Sequence, residues 1–322
     1  MSSSTLIIVV FVCSILSELL YFKVADKFNI IDKPNERSSH TQITIRGGGV
    51  VFIIAGLIYA INSGFEIPYF WSGFISISIV SFIDDVKTLS SKIRMPIQFF
   101  SVVLMLFDIP GISNYLIAIV ILILITGIIN AYNFMDGING ITAGYSLIVL
   151  VSLLIINRYI DFISSEFIIT FILADIVFAY FNFRKIAKCF AGDVGSVSIA
   201  FVISFLVFKL ILVTNNFSYI MLLAVYGVDS VLTILYRLRK RENIFEAHRS
   251  HLYQWLVKPG PLTHLQMSLV YMIVQSILSV GVIAIANSSW QIQLLYSAIS
   301  LIALAGIYIL IKAKYKSKYG LV

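Results

Sequence analysis

The chain has 322 residues, of which 59% are hydrophobic and only 12% charged, and it carries a formal net charge of +7. A chain that apolar cannot hide its surface inside one water-soluble core, so composition excludes an ordinary soluble domain and indicates a membrane protein. Beside a bilayer, the positive charge describes a surface facing anionic lipid and excludes a nucleic-acid binder.

Only helices satisfy their own backbone in a hydrocarbon layer roughly 30 Å thick, which takes about 20 residues to cross. The expected fold is all-α: a polytopic integral membrane helical bundle. In chain order, hydropathy marks about ten to eleven spans. They are Leu6 to Phe22, Gly48 to Asn62, Pro68 to Ile83, Met95 to Phe107, Tyr115 to Tyr132, Ile141 to Ile156, Phe167 to Phe183, Val194 to Val213, Tyr219 to Tyr236, Met267 to Ala286, and Ile292 to Ile311. Met95 to Phe107 gives the weakest signal. No basic residue precedes the first run and no clear small-residue cleavage site follows it, so it reads as a permanent span.

Of the 23 Lys and Arg residues, all except Arg158 and Lys209 fall in alternate loops or the tail. The positive-inside rule therefore predicts an outside amino terminus and a cytoplasmic carboxyl terminus. Cytoplasmic loops are expected at about 23–47, 84–94, 131–140, 184–193 and 237–266. None is long enough for a core of its own, so residues 1–322 read as one transmembrane domain. Cys13 and Cys189 supply no disulfide or zinc framework.

The chemistry-bearing residues crowd into these loops. Asp84 and Asp85 end the third span, next to Lys87, Lys92 and Arg94. Adjacent acids on a helix point about 100° apart, so one could bind metal while the other takes a proton; both could also be solvated acids closing a helix. In NAYNFMDGING, Asn130, Asn133 and Asp136 share one stripe if the fifth span continues through them. Gly137 and Gly140 would then break the helix and let backbone approach a ligand, and an Asn, Asp and Gly-rich turn between spans is the alternative. In FAGDVGS, Asp193 is either a helix cap or a third acidic site on the same face. Oxygen donors gathered from three loops suit Mg²⁺, which takes one or two carboxylates with phosphate and water.

Upstream, RSSHTQITIRGGG places Arg37, Ser38, Ser39, His40 and Arg46 before a glycine triplet that opens the second span. Arginine and hydroxyl donors at a helix amino terminus suit phosphate, and a positive-inside anchor with glycines for helix packing is the alternative. In EAHRSHLYQ, His248 and His251 flank Arg249. No further ligands accompany them for zinc, so phosphate contacts or an amphipathic surface segment fit better.

These five segments, in this order, resemble the polyprenyl-phosphate N-acetylaminosugar-1-phosphate transferases. That group includes the phospho-N-acetylmuramoyl-pentapeptide transferase of peptidoglycan and the initiating transferases of O antigen and teichoic acid. The resemblance implies a bacterial inner-membrane enzyme. In it, undecaprenyl phosphate attacks the β-phosphorus of a UDP-amino sugar, giving a polyprenyl diphosphate sugar and UMP. It further implies Mg²⁺, or Mn²⁺ in its place, with Asp193 and Asp136 on the metal. Asp84, Asp85 and Asp193 would carry catalysis. Arg37, Ser38, His40, Lys92, Arg94, Asn130, Asn133, Asp136, His248, Arg249 and His251 would bind substrate, and a homodimer is compatible. Asn139 stands where the peptidoglycan enzyme has a second acid, and HRSH replaces its run of histidines, which argues against a muramoyl-pentapeptide donor. The HRSHLYQ form is similar to the branch that starts O-antigen or capsule chains. There the expected donor is a UDP-N-acetyl 6-deoxyhexosamine such as the fucosamine or quinovosamine derivative, with UDP-N-acetylglucosamine as the alternative.

A transporter is the rival reading, because Asp175, Lys209 and Asp229 fall within spans. Against it, the polar groups crowd at one surface and no repeat is visible. A non-catalytic scaffold would leave the converging acids unexplained.

Overall fold

The computed structural model describes residues 1–32, 43–112, 114–243 and 249–319. Every expected span is helical. The helices are α1 (Ser3–Phe28), α2 (Val50–Asn62), α3 (Pro68–Val86), α4 (Ser91–Phe107), α5 (Tyr115–Met135) and α6 (Ile141–Ile160). Then come α7 (Ser165–Asn182), α8 (Gly192–Thr214), a 3-10 helix (Phe217–Leu223) running into α9 (Ala224–Arg239), the short α10 (Leu252–Val257), α11 (His264–Ala284) and α12 (Trp290–Tyr319). Among the described residues, nine helical stretches are long and apolar enough to cross a membrane. The protein is a multi-pass membrane bundle.

Two expected spans fall short of that length. Helix α2 has 13 residues, a rise of about 20 Å against a hydrocarbon layer of roughly 30 Å. Helix α4 has 17 residues, and its first turn is Ser91, Lys92, Ile93 and Arg94, so its apolar part is shorter still.

Helix α8 is the axis of the bundle. It is buried on every side from Gly192 to Phe208 and packs against α2, α3, α5, α6 and the 3-10 helix. A helix apolar all round is the kind that belongs in such a centre. Between helices, polar side chains find one another where lipid offers no partner. Ser78 and Ser198 share a 2.7 Å hydrogen bond between α3 and α8, and Tyr145 donates to Gln275 between α6 and α11. Residues such as Leu16, Leu20, Ile123, Leu294, Ile302 and Leu310 stay exposed on α1, α5 and α12. An apolar surface of that extent suits lipid.

Among the described residues, the one departure from helix and turn is a two-residue antiparallel ribbon, β1 (Ile31–Asp32) and β2 (Thr44–Ile45), in register Ile31 to Ile45 and Asp32 to Thr44. Ile45 bridges on to Cys189, and the Phe190 amide donates to the Ile45 carbonyl at 2.8 Å. The ribbon thereby fastens the first loop to the start of α8. It is too short to leave an alternating signal in the sequence.

Candidate active site

Asp84 and Asp85 diverge as helix geometry requires. Asp85 points at the amino terminus of α8, where its Oδ1 accepts the Asp193 amide at 2.8 Å and its Oδ2 the Val194 amide at 2.9 Å. It thus satisfies first-turn donors that have no partner within their own helix, at the positive end of the helix dipole. Gly192, at φ +70°, makes room, since a Cβ there would overlap the Asp85 carboxylate. Asp84 turns the other way, into a cavity. Its Oδ1 accepts the Leu89 amide and its Oδ2 accepts Arg94 Nη1 at 2.8 Å.

Asp193 lies in the first turn of α8 but does not cap it. Its Oδ1 accepts Arg46 Nη2 at 3.0 Å and its Oδ2 accepts Arg94 Nη1 at 2.8 Å. Arg46 Nε also donates to Asp85 Oδ1 at 2.6 Å. Three carboxylates and two guanidiniums from four separate segments therefore form one network, in which Asp84 and Asp193 meet on the same Arg94 nitrogen. Burial alone would weaken the hold of Arg46 on its proton, but Asp85 and Asp193 more than offset this and keep it firmly charged. The Arg94 and Arg46 side chains remain 40% and 32% exposed, so both can also meet a ligand.

The glycine triplet serves close packing, the alternative reading, and not phosphate binding. The amides of Gly48 and Gly49 donate to the carbonyls of Phe190 and Ala191, at 2.8 and 3.0 Å, so they are not offered to phosphate. Gly49 lies against Gly195, whose added Cβ would come within 2.8 Å of the Gly49 Cα. This crossing presses Arg46 onto Asp193.

Helix α5 ends at Met135, so the stripe continues through Asn130 and Asn133 but turns off at Asp136. The two asparagines line the cavity and Asp136 does not. Thr142 donates to Asp136 Oδ1 at 2.7 Å, and burial pushes that carboxyl up to about 7 despite the Thr142 hydroxyl. Gly137 and Gly140 admit neighbouring rings, not a ligand. Added Cβ atoms there would overlap the Tyr253 hydroxyl and the Phe183 ring. Asn139 is a clamp, with Nδ2 donating to the carbonyls of Arg184 at 2.9 Å and Lys185 at 3.3 Å. An acid there would face two carbonyl oxygens. Asn139→Asp is accordingly expected to destabilise the protein by about 1–3 kcal/mol, read as a lower thermal midpoint in detergent.

His251 closes the cavity from the segment before α10. It is 1% exposed, and its Nδ1 lies 3.1 Å from Asp229 Oδ1. Asp229 also accepts the Leu252 amide at 3.0 Å, Thr233 Oγ1 at 3.1 Å and the Tyr271 hydroxyl. In the sequence Asp229 reads only as a group inside a span, because its partner lies on a separate segment. The other such residues do not join it: Lys209 sits over the Phe205 ring and senses Asp108, while Asp175 has no hydrogen-bond partner among the described residues. Among the described residues, Asp175, Lys209 and Asp229 form no connected line across the bundle. Of the remaining expected site residues, Lys92 is exposed and does not line the cavity, and neither does Arg249, whose carbonyl accepts Trp255 Nε1 at 3.0 Å. Arg37, Ser38, His40 and His248 lie outside the described residues.

The cavity, of about 380 Å³, therefore opens at one end of the bundle, between Asp84, Arg94, Asn130, Asn133, Asp193, Arg46 and His251, with Ile77, Val80 and Met95 forming an apolar wall. Among the described residues no group of three or more His, Cys, Asp or Glu side chains gathers at metal-binding distance. Mg²⁺ does not need such a cage, since it takes one or two carboxylates and completes its shell with substrate phosphate and water. Asp193 and Asp84, side by side in hard oxygen, fit that demand better than Asp193 with Asp136.

A polytopic bundle with this acid and arginine network at one end of its helices is suited to phosphoryl transfer at a membrane surface. Residues 67–211, from the start of α3 to the last turns of α8, match glycosyl transferase family 4. The chain is 25% identical over 316 residues to the probable undecaprenyl-phosphate N-acetylglucosaminyl 1-phosphate transferase of Bacillus subtilis (strain 168), covering 89% of this chain and 87% of that protein. It is 25% identical over 314 residues to the undecaprenyl-phosphate alpha-N-acetylglucosaminyl 1-phosphate transferase of Escherichia coli (strain K12), covering 87% and 83%. The Yersinia pestis protein of the same name is 24% identical over 310 residues, covering 88% and 84%. These similarities support the motif resemblance to the polyprenyl-phosphate N-acetylaminosugar-1-phosphate transferases.

Proposed function

We propose that this protein transfers an N-acetylhexosamine 1-phosphate from a UDP-sugar to undecaprenyl phosphate at the cytoplasmic face of the bacterial inner membrane. The observation that carries this reading is the cavity itself. Two partly exposed arginines anchored on Asp84, Asp85 and Asp193 meet two asparagines and His251 there, beside an apolar wall that opens the way to a lipid.

In the reaction, a terminal oxygen of the lipid phosphate bonds to the β-phosphorus of the donor. The bond from that phosphorus to the bridging oxygen breaks, and the electron pair leaves with UMP. Phosphoryl transfer of this kind needs positioning and charge neutralisation more than covalent help. Arg46 and Arg94 supply fixed positive charge to the diphosphate. Asn130 and Asn133 offer amide donors, and His251, oriented by Asp229, faces the donor from the opposite wall. Mg²⁺, or Mn²⁺ in its place, would be held by Asp193 with Asp84 and would neutralise phosphate charge when bound. A lipid phosphate with a second pKa near 6 is largely ionised at neutral pH and needs little help from a base. Asp85, turned away from the cavity with both oxygens engaged, is poorly placed as a nucleophile. Single displacement follows.

The names of the relatives favour UDP-N-acetylglucosamine as donor. The HRSH form of the histidine segment favours a 6-deoxy amino sugar instead. Purified protein given undecaprenyl phosphate, Mg²⁺ and each UDP-amino sugar in turn should release UMP from one of them. Release from none, with folding verified, would overturn the proposal. Chelation should abolish release and added Mg²⁺ or Mn²⁺ should restore it; turnover unchanged by chelation would refute the metal assignment.

A further inference from the structure

Helix α12 is the least buried helix of the bundle, and only two of its residues are buried, Tyr308 and Lys312. They lie one turn apart and so share a face. Both reach the support of His251, by two routes.

The first route is an aromatic cage. The Lys312 ammonium lies 4.6 Å from the centre of the Tyr236 ring, 4.8 Å from Trp255 and 4.8 Å from Tyr308. These rings come from α9, α10 and α12, so a single cation holds three elements together. Its Nζ has no hydrogen-bond acceptor among the described residues. A lysine near a helix end ordinarily reaches for water, yet this one is only 7% exposed. Trp255 lies one turn after His251, and its Nε1 holds the Arg249 carbonyl at 3.0 Å. The caged ring therefore braces the backbone on both sides of His251.

The second route is a hydrogen-bonded chain. The Tyr308 hydroxyl meets Thr233 Oγ1 at 2.7 Å, Thr233 donates to Asp229 Oδ1 at 3.1 Å, and Asp229 holds His251 Nδ1 at 3.1 Å.

We propose that Lys312 and Tyr308 are positioning residues, through which α12 fixes His251 in the donor site. This rests on the reading of His251 as a contact to the donor diphosphate. The test is calorimetric binding of UDP, the diphosphate common to every donor considered, to the full chain in detergent with Mg²⁺. His251→Asn should weaken binding about tenfold, as should Lys312→Met, whereas Lys312→Arg, which keeps the cation, should stay within about threefold of the parent. In the His251→Asn background, Lys312→Met should change binding by less than about twofold, because its effect passes through the missing ring. Tyr308→Phe, which removes one hydroxyl, carries the same test if Lys312→Met does not fold. A His251→Asn defect combined with normal binding in Lys312→Met, or an equal Lys312→Met loss in both backgrounds, would overturn the positioning role alone. Normal UDP binding by His251→Asn would instead overturn the donor-contact reading on which it rests.

Discussion

Replacing Asp193 by Asn should lower UMP release by about a thousandfold or more while leaving the bundle folded. The separation of the two effects comes from the network. Arg46 keeps Asp85 and Arg94 keeps Asp84 when Asp193 becomes neutral, so neither guanidinium is stranded without a carboxylate. What disappears is the one charge that both arginines share and the best-placed ligand for a divalent cation. Turnover in the variant and its thermal midpoint in detergent should be measured together. Substantial activity, or collapse of the fold, would contradict this division of labour.

Gly49→Ala should be the most damaging substitution that touches no functional group. Its added Cβ would overlap the Gly195 Cα, and a backbone atom cannot rotate away as a side chain can. The crossing of the first loop over α8 would have to open, breaking the amide bonds of Gly48 and Gly49 to Phe190 and Ala191 and withdrawing Arg46 from Asp193. A loss of about 3 kcal/mol or more is expected, at the upper end of overpacking costs. Gly195→Ala should behave alike, since it enters the same contact. Gly127→Ala is the control, because nothing lies within 4 Å of a Cβ there and alanine favours a helix over glycine. Similar thermal midpoints for all three variants would disprove the crossing.

The order of the apolar helices was legible because hydropathy reports chemistry that lipid imposes directly on each segment, although α2 and α4 are too short to count as full spans. Which helix is central was not. Helices α8 and α12 are comparably apolar runs, yet one is enclosed and the other almost bare, and only packing distinguishes them. The divergence of Asp84 and Asp85 followed from helix geometry, and the structure adds which of them faces the cavity. What Gly137 and Gly140 admit is not legible in the sequence, for a physical reason. A missing side chain announces a close approach but not what approaches: at Gly137 and Gly140 it is an aromatic ring. Asp136 left its stripe because α5 ends one residue before it. The partnership of Asp229 with His251 could not be read from spacing, although a carboxyl inside a span always raises the question of what satisfies it.

The measurement that bears most directly on the central claim uses a donor labelled in its β-phosphate. Purified protein, undecaprenyl phosphate and Mg²⁺ would be incubated with the donor identified by UMP release, and the label followed into the lipid and aqueous phases. Transfer of sugar 1-phosphate predicts that the labelled phosphorus moves into the lipid and that UMP remains unlabelled. Label retained in the aqueous phase as UDP would mean that the bond broken is to the sugar, and the assignment of this site to phosphoryl transfer would be wrong.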